Sequence, residues 1–158
     1  MIRPATSADV PAIYLLIRAL AQYEHLEGEV TATEETLRAG LFGTERRSNV
    51  EAIVADDAAQ VVGFALFFHN YSTFLARSGL YLEDLFVLPE YRRRGHGRAL
   101  LGRLAGIAVE RGCGRFEWSV LHWNEPAIAF YRSLGATLMD EWRIFRMTRP
   151  AFERLAQS

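Results

Sequence analysis

The spacing of apolar positions changes twice along the chain. Ile13, Leu16, Ile17, Leu20 and Tyr23 recur every three or four residues, the period of one helix face, and Ser7 or Asp9 precedes them as a cap. Thr31 and Glu34 form a capping box for a second helix. The period then shortens. Asn49–Ala55 and Gln60–His69 are rich in Val, Ile and Phe around Asp56-Asp57, which predicts an antiparallel hairpin turning at that pair, and Leu80–Leu88 predicts a third strand stopped by Pro89. Helical spacing returns with Leu100, Leu101, Leu104, Ile107 and Ala108, ending near Gly112 and Gly114. Arg115–Leu121 predicts a further strand. Asn124 caps a helix with Pro126 in its first turn, carrying Ile128 and Tyr131 and ending at Gly135. Trp142–Met147 reads as a last strand and Pro150–Ala156 as a short helix. Helices come first and strands after, in a mixed α/β order whose central strand–RRRGHG–helix–strand unit predicts a parallel crossover.

Composition narrows the partners. A chain of 158 residues fits one domain, 1–158, with a substantial core. Its 18 Lys+Arg against 19 Asp+Glu leave a net charge of −1, which lacks the cationic excess of a nucleic-acid binder, so the run Arg92–Arg94 is a local feature. Apolar stretches such as Val61–Phe68 fall short of the ~20 residues of a membrane span, and no charged-then-apolar signal segment opens the chain. A cytoplasmic protein with no membrane and no nucleic-acid partner is expected. The one cysteine, Cys113, excludes an internal disulfide, and no Cys/His group has zinc spacing, so no metal is expected.

The stretch YRRRGHGRALLGRL sets arginines beside glycines at a helix start, which suggests an anion. A phosphate loop of the Walker A type needs Lys then Ser or Thr after its second glycine, and Arg98 and Ala99 stand there. A dinucleotide fingerprint needs a third small residue where Leu100 stands. Arg92-x-x-Gly95-x-Gly97 between strand and helix resembles instead the motif with which the GCN5-related N-acetyltransferases (GNAT) hold acetyl-CoA, small residues letting backbone N–H groups and the helix dipole converge on a pyrophosphate. IRPAT at 2–6, LAQYEHLE at 20–27, VVGFALFF at 61–68, YLEDLFVLPEYR at 81–92 and WNEPAIAFY at 123–131 are similar to the spermidine/spermine and thialysine N-acetyltransferase group. The resemblance implies a mixed, mostly antiparallel sheet, flanked by helices and splayed to admit the pantetheine arm, usually in a homodimer. It also implies acetyl-CoA contacts from Leu85, Phe86, Val87, Arg92, Arg93, Arg94, Gly95, His96, Gly97, Arg98, Asn124, Pro126, Ala127 and Tyr131.

The chemistry sets its own demands. An aliphatic amine with a pKa of about 10.4 is protonated at neutral pH and has no lone pair for attack, so a base is required. Alternation along the third strand puts Glu83 and Asp84 on opposite faces. The resemblance gives Glu83 the cleft, as amine anchor and base through a water, and leaves Asp84 structural. An oxyanion needs donors, which backbone N–H groups near Leu85–Val87 supply, and a departing thiolate needs a proton, for which Tyr131 matches the family's acid. Tyr23 and Glu24 match amine-binding positions. Ser72 and Phe74 stand where polyamine-acetylating relatives carry an acidic residue and a tryptophan, so a lysine-like amine fits at least as well as spermidine. A covalent route through Cys113 is disfavoured by its place between Gly112 and Gly114, and His96 and His122 read as turn residues. The expected activity is acetyl transfer from acetyl-CoA to a small primary amine in a ternary complex; the alternatives are a non-catalytic acetyl-CoA sensor and a nucleic-acid-binding domain.

Overall fold

The computed structural model describes residues 1–44 and 49–157. It resolves into two compact units, Met1–Ser119 and Val120–Ser158. The first holds a five-stranded sheet in the order β1-β2-β3-β4-β5: β1 Ile2–Pro4, β2 Glu51–Asp57, β3 Gln60–Ser72, β4 Arg77–Val87 and β5 Phe116–Trp118. The first four strands are antiparallel neighbours and β5 joins β4 in parallel. The expected crossover is therefore present, made by α3, His96–Glu110, whose buried residues are the five anticipated from the spacing: Leu100, Leu101, Leu104, Ile107 and Ala108.

Helices do not come first. The sheet begins at Ile2, opposite Ala55, and three residues including a proline suffice because the strand is pinned from outside. The Met1 ammonium donates to the Asp56 carbonyl at 2.6 Å, and Arg3 bridges Asp56 (2.7 Å) and both carboxylate oxygens of Asp9 (2.8 Å each). That use of Asp9 changes the start of α1, Val10–Tyr23: neither Ser7 nor Asp9 caps it, because the Asp9 carboxylate is taken by Arg3 and by the N–H and hydroxyl of Thr6. The second capping box is also displaced, to Thr33 and Thr36 ahead of α2, Glu34–Phe42.

The β2–β3 hairpin turns later than expected, at Ala58-Ala59. Both residues have positive φ, +47° and +66°, as a two-residue turn matching the strand twist requires. Asp56 and Asp57 stay in the strand. Buried residues run consecutively through β2, Ile53, Val54 and Ala55, so both faces of the sheet are covered. On one face Ile13 and Leu16 of α1 pack with Val54, Phe64 and Phe86, while α3 packs along β1 to β4. Phe64 is fully buried, and truncating such a ring typically costs about 3–5 kcal/mol.

In the second unit, α4 spans Glu125–Ser133 with Asn124 as its cap, the side chain accepting from the Ala127 N–H, and Pro126 in the first turn as expected; α5 spans Arg149–Ala156. Trp142–Met147 is not a strand. Its apolar pattern fits a pleated face, yet no other described strand pairs with it, and Trp142, Ile144 and Phe145 are exposed.

Candidate active site

Three features of the first unit converge at the C-terminal half of β4. The first is an open edge. β4 pairs with β5 only through Leu80, Tyr81 and Leu82, so from Glu83 to Val87 that edge has no strand beside it among the described residues. Its other edge is closed by β3, where Gly63 opposes Val87 so tightly that an added Cβ would meet the Phe86 carbonyl at 2.9 Å. Leu85, Phe86 and Val87 thus lie along a stretch of β4 that β3 pairs on one side and no described strand pairs on the other.

The second is a carboxylate cluster. The β3–β4 register slips between Leu66, opposite Asp84, and Phe67, opposite Leu82, which leaves Glu83 as the extra residue of a bulge. Simple alternation did not reveal this. The bulge keeps Glu83 exposed while Asp84 is half-buried. Burial, followed by the charges of Glu83 and Glu24, pushes the Asp84 carboxyl up to about 6. Glu24, at the end of α1, is itself raised by burial. Tyr23 beside it packs against Phe86, ring centroids 6.5 Å apart. The sequence-derived pair Tyr23 and Glu24 is therefore brought to Phe86 and Asp84 of β4, next to Glu83, and none of the three carboxylates has an ion-pair partner among the described residues. Asp84, assigned only a structural role from the sequence, is the most perturbed of them. Its signal was available, a carboxylate inside the apolar run YLEDLFV, though only the fold shows which of the two is desolvated.

The third is the loop from Arg92 into α3. Gly95 is the N-cap, with φ +88° and open space where a Cβ would stand; no side chain caps the helix and its first turn carries no acidic residue. The leading N–H groups of a 15-residue helix are thereby presented to an anion. The arginines divide into two kinds. Arg92 turns inward: its Nε donates to the Val87 carbonyl at 3.0 Å and its guanidinium lies 4.8 Å from the Tyr23 ring and 5.3 Å from that of Phe86. Its side chain holds the loop to the strand and to α1. Arg94 lies over Tyr91 and pairs with Asp57. Arg93, at φ +63°, and Arg98 make no ion pair among the described residues and are the cations available to a pyrophosphate. His96 is more than a spacer, because its Nε2 meets Asp57 at 3.2 Å. These residues fit the phosphate end of a coenzyme A.

Ser72 and Phe74 do not join this group. Ser72 is buried with its Oγ accepting from the Leu75 N–H, and Phe74 is 98% exposed at the β3–β4 turn. Ser72 lies six positions along β3 from Leu66, roughly 20 Å along the strand. Within one chain they are remote from Glu83, and the argument against polyamines drawn from them has no support in this geometry. Tyr131 lies half-buried on α4 in the second unit, beside Phe130.

Comparison with known proteins agrees with this arrangement. The Acetyltransferase (GNAT) family model matches residues 12–136. The thialysine N-epsilon-acetyltransferase of Bos taurus is 39% identical, with 99% of this chain and 96% of the bovine protein covered. The L-ornithine N5-acetyltransferase NATA1 of Arabidopsis thaliana is 34% identical over 98% and 86% of the two chains. Among solved structures, an integron cassette protein from the mobile metagenome of V. cholerae superposes with a TM-score of 0.81 at 27% identity over 100% and 98% of the chains. An aminoglycoside acetyltransferase from a soil metagenome shares the fold, with a TM-score of 0.76 at 22% identity over 94% and 95%. From the family match and these relatives together, the chain is an N-acetyltransferase and belongs to the GNAT acetyltransferase family.

Proposed function

We propose that this enzyme transfers the acetyl group of acetyl-CoA directly to the primary amine of a small lysine-like or ornithine-like molecule, or of a diamine or polyamine, within a ternary complex. The observation that carries this reading is the cluster of Glu83 and Asp84 on the strand that leads into the RRRGHG loop with Glu24 at the end of α1, to which no cation is paired among the described residues. Three carboxylates with no ion pair among the described residues suit a substrate that brings positive charge of its own. The named substrates of the thialysine and ornithine relatives are amines of this kind.

Acetyl-CoA supplies an activated acetyl thioester. Arg93, Arg98 and the first N–H groups of α3 hold its phosphates, and Leu85–Val87 offer backbone donors to the acetyl oxygen. Glu83 anchors the ammonium and takes its proton through a water, with ionised Asp84 and Glu24 adding negative charge. The family resemblance alone assigns to Tyr131 of α4 the proton for the departing sulfur, and to Asn124, Pro126 and Ala127 at the start of that helix contacts with the coenzyme arm. A cytoplasmic homodimer completes the proposal.

The test is thiol release from acetyl-CoA across a panel of thialysine, ornithine, lysine, diamines, spermidine and peptides. A small amine with the highest kcat/KM is the expected result. Turnover confined to peptides, or none with any amine, defeats the proposal.

A further inference from the structure

The tip of the β2–β3 hairpin is an unexplained part of the coenzyme region. It contributes no residue to the sequence motif, yet it reaches the loop on both sides. Gln60 accepts from the Tyr91 hydroxyl at 3.2 Å, just before the arginines, and Asp57 meets Arg94 Nη1 at 3.6 Å and His96 Nε2 at 3.2 Å, at the last arginine and just after it. His96 is largely withdrawn from solvent, its side chain 15% exposed, so its contact is better shielded than that of Arg94, which is 57% exposed. Between Asp57 and Gln60 stand only Ala58 and Ala59, both in the left-handed region where a Cβ is disfavoured by roughly 1–2 kcal/mol per residue. A turn held in that conformation without glycine or asparagine implies surroundings that over-determine it.

We propose that Asp57 is a positioning residue of the coenzyme loop. Its carboxylate fixes the His96 ring and the Arg94 guanidinium, so that the Gly95–Gly97 backbone faces the anion in one prepared conformation and Arg94 is held at the edge rather than competing for the phosphate. The inference rests on the acetyl-CoA reading, and it has an electrostatic opposite. An Asp that merely stood near a pyrophosphate would repel it, and neutralising that Asp would tighten binding. A brace predicts the reverse sign.

The experiment compares wild type with Asp57→Asn, which keeps size and one acceptor but removes the charge. Calorimetry with adenosine 3′,5′-bisphosphate, a phosphate-bearing fragment without the thioester, reads binding apart from turnover. Affinity is expected to fall about 10-fold, the effect of losing one charge-assisted hydrogen bond. KM for acetyl-CoA should rise to match, with kcat and the amine KM within about 2-fold. Amide exchange at residues 95–99 of the ligand-free protein should quicken. Tyr91→Phe, which removes only the Gln60 contact, should weaken the fragment about 3-fold, and it decides the matter should Asp57→Asn fail to fold. Unchanged or tighter binding of the fragment in these variants overturns the proposal. A wild type that binds neither the fragment nor acetyl-CoA overturns the coenzyme reading instead.

Discussion

Asp9 and Asp84 are both withdrawn from water, and the fold treats them in opposite ways. Asp9 receives two hydrogen bonds from Arg3 and two from Thr6, and the Arg3 guanidinium holds its carboxyl far below the usual range against the opposing effect of burial. Asp84 has no ion pair among the described residues, and burial with Glu83 and Glu24 nearby raises it to about 6. A satisfied carboxylate ties β1 to the start of α1; an unsatisfied one, with no ion pair among the described residues, suits a cation from outside. The difference separates structural charge from functional charge, and it can be broken from either side.

The largest effect is expected at Glu83. Glu83→Gln should lower kcat about 10³-fold, near 4 kcal/mol of barrier, with little change in melting temperature. Because Glu83 contributes to the raised Asp84 carboxyl, the acid limb of the remaining activity should move to lower pH. A variant of near-normal kcat would remove Glu83 from the chemistry.

Asp9→Asn should do the reverse, costing about 3 kcal/mol of stability through a broken pair while kcat is preserved. The sign with pH follows from the lowered carboxyl. Its contribution is present above the unfolded value near 3.8 and is lost as pH falls toward the folded one, so the variant and wild type should converge in urea titrations at low pH.

Asp84→Asn should stabilise. Between 3.8 and about 6 the folded state binds more protons than the unfolded, so stability falls with rising pH and above 6 carries a penalty of at most ~3 kcal/mol. The variant should therefore melt higher than wild type at pH 8 and equally at pH 3.5. Its activity should lose the acid limb near 6. Lower stability at pH 8 would mean that Asp84 has a cationic partner after all.

The smallest effect belongs to the hairpin turn. Ala59→Gly relieves one left-handed alanine and should add about 1 kcal/mol, read as a shift in urea midpoint.

What the sequence disclosed depended on the range of the interaction. The α3 face was legible because all five of its buried residues obey one period, and the Arg92–Gly97 loop because glycines and arginines mark a turn at a helix start. β1 was not, since IRP has weak strand character and is held by Asp56 and Asp9 from elsewhere in the chain. The bulge at Glu83 exists only as a relation between two strands. Arg92 and His96 were recognised as members of the motif, but their partners, Val87, Tyr23 and Asp57, come from three other elements. Trp142–Met147 shows the converse: a period of two describes a strand only where a neighbour accepts its hydrogen bonds.

The three-residue contact between β4 and β5 has a kinetic meaning as well. β2, β3 and β4 are joined by tight turns and can zip together locally, whereas β5 docks only after a whole helix has been placed, and in parallel, the slower kind of pairing. Its hydrogen bonds should be among the last to form during refolding and the first to exchange their protons in the native state. The seam beside the proposed chemistry would then be the sheet's most yielding joint, able to part for a long coenzyme arm while the β2–β4 meander stays intact.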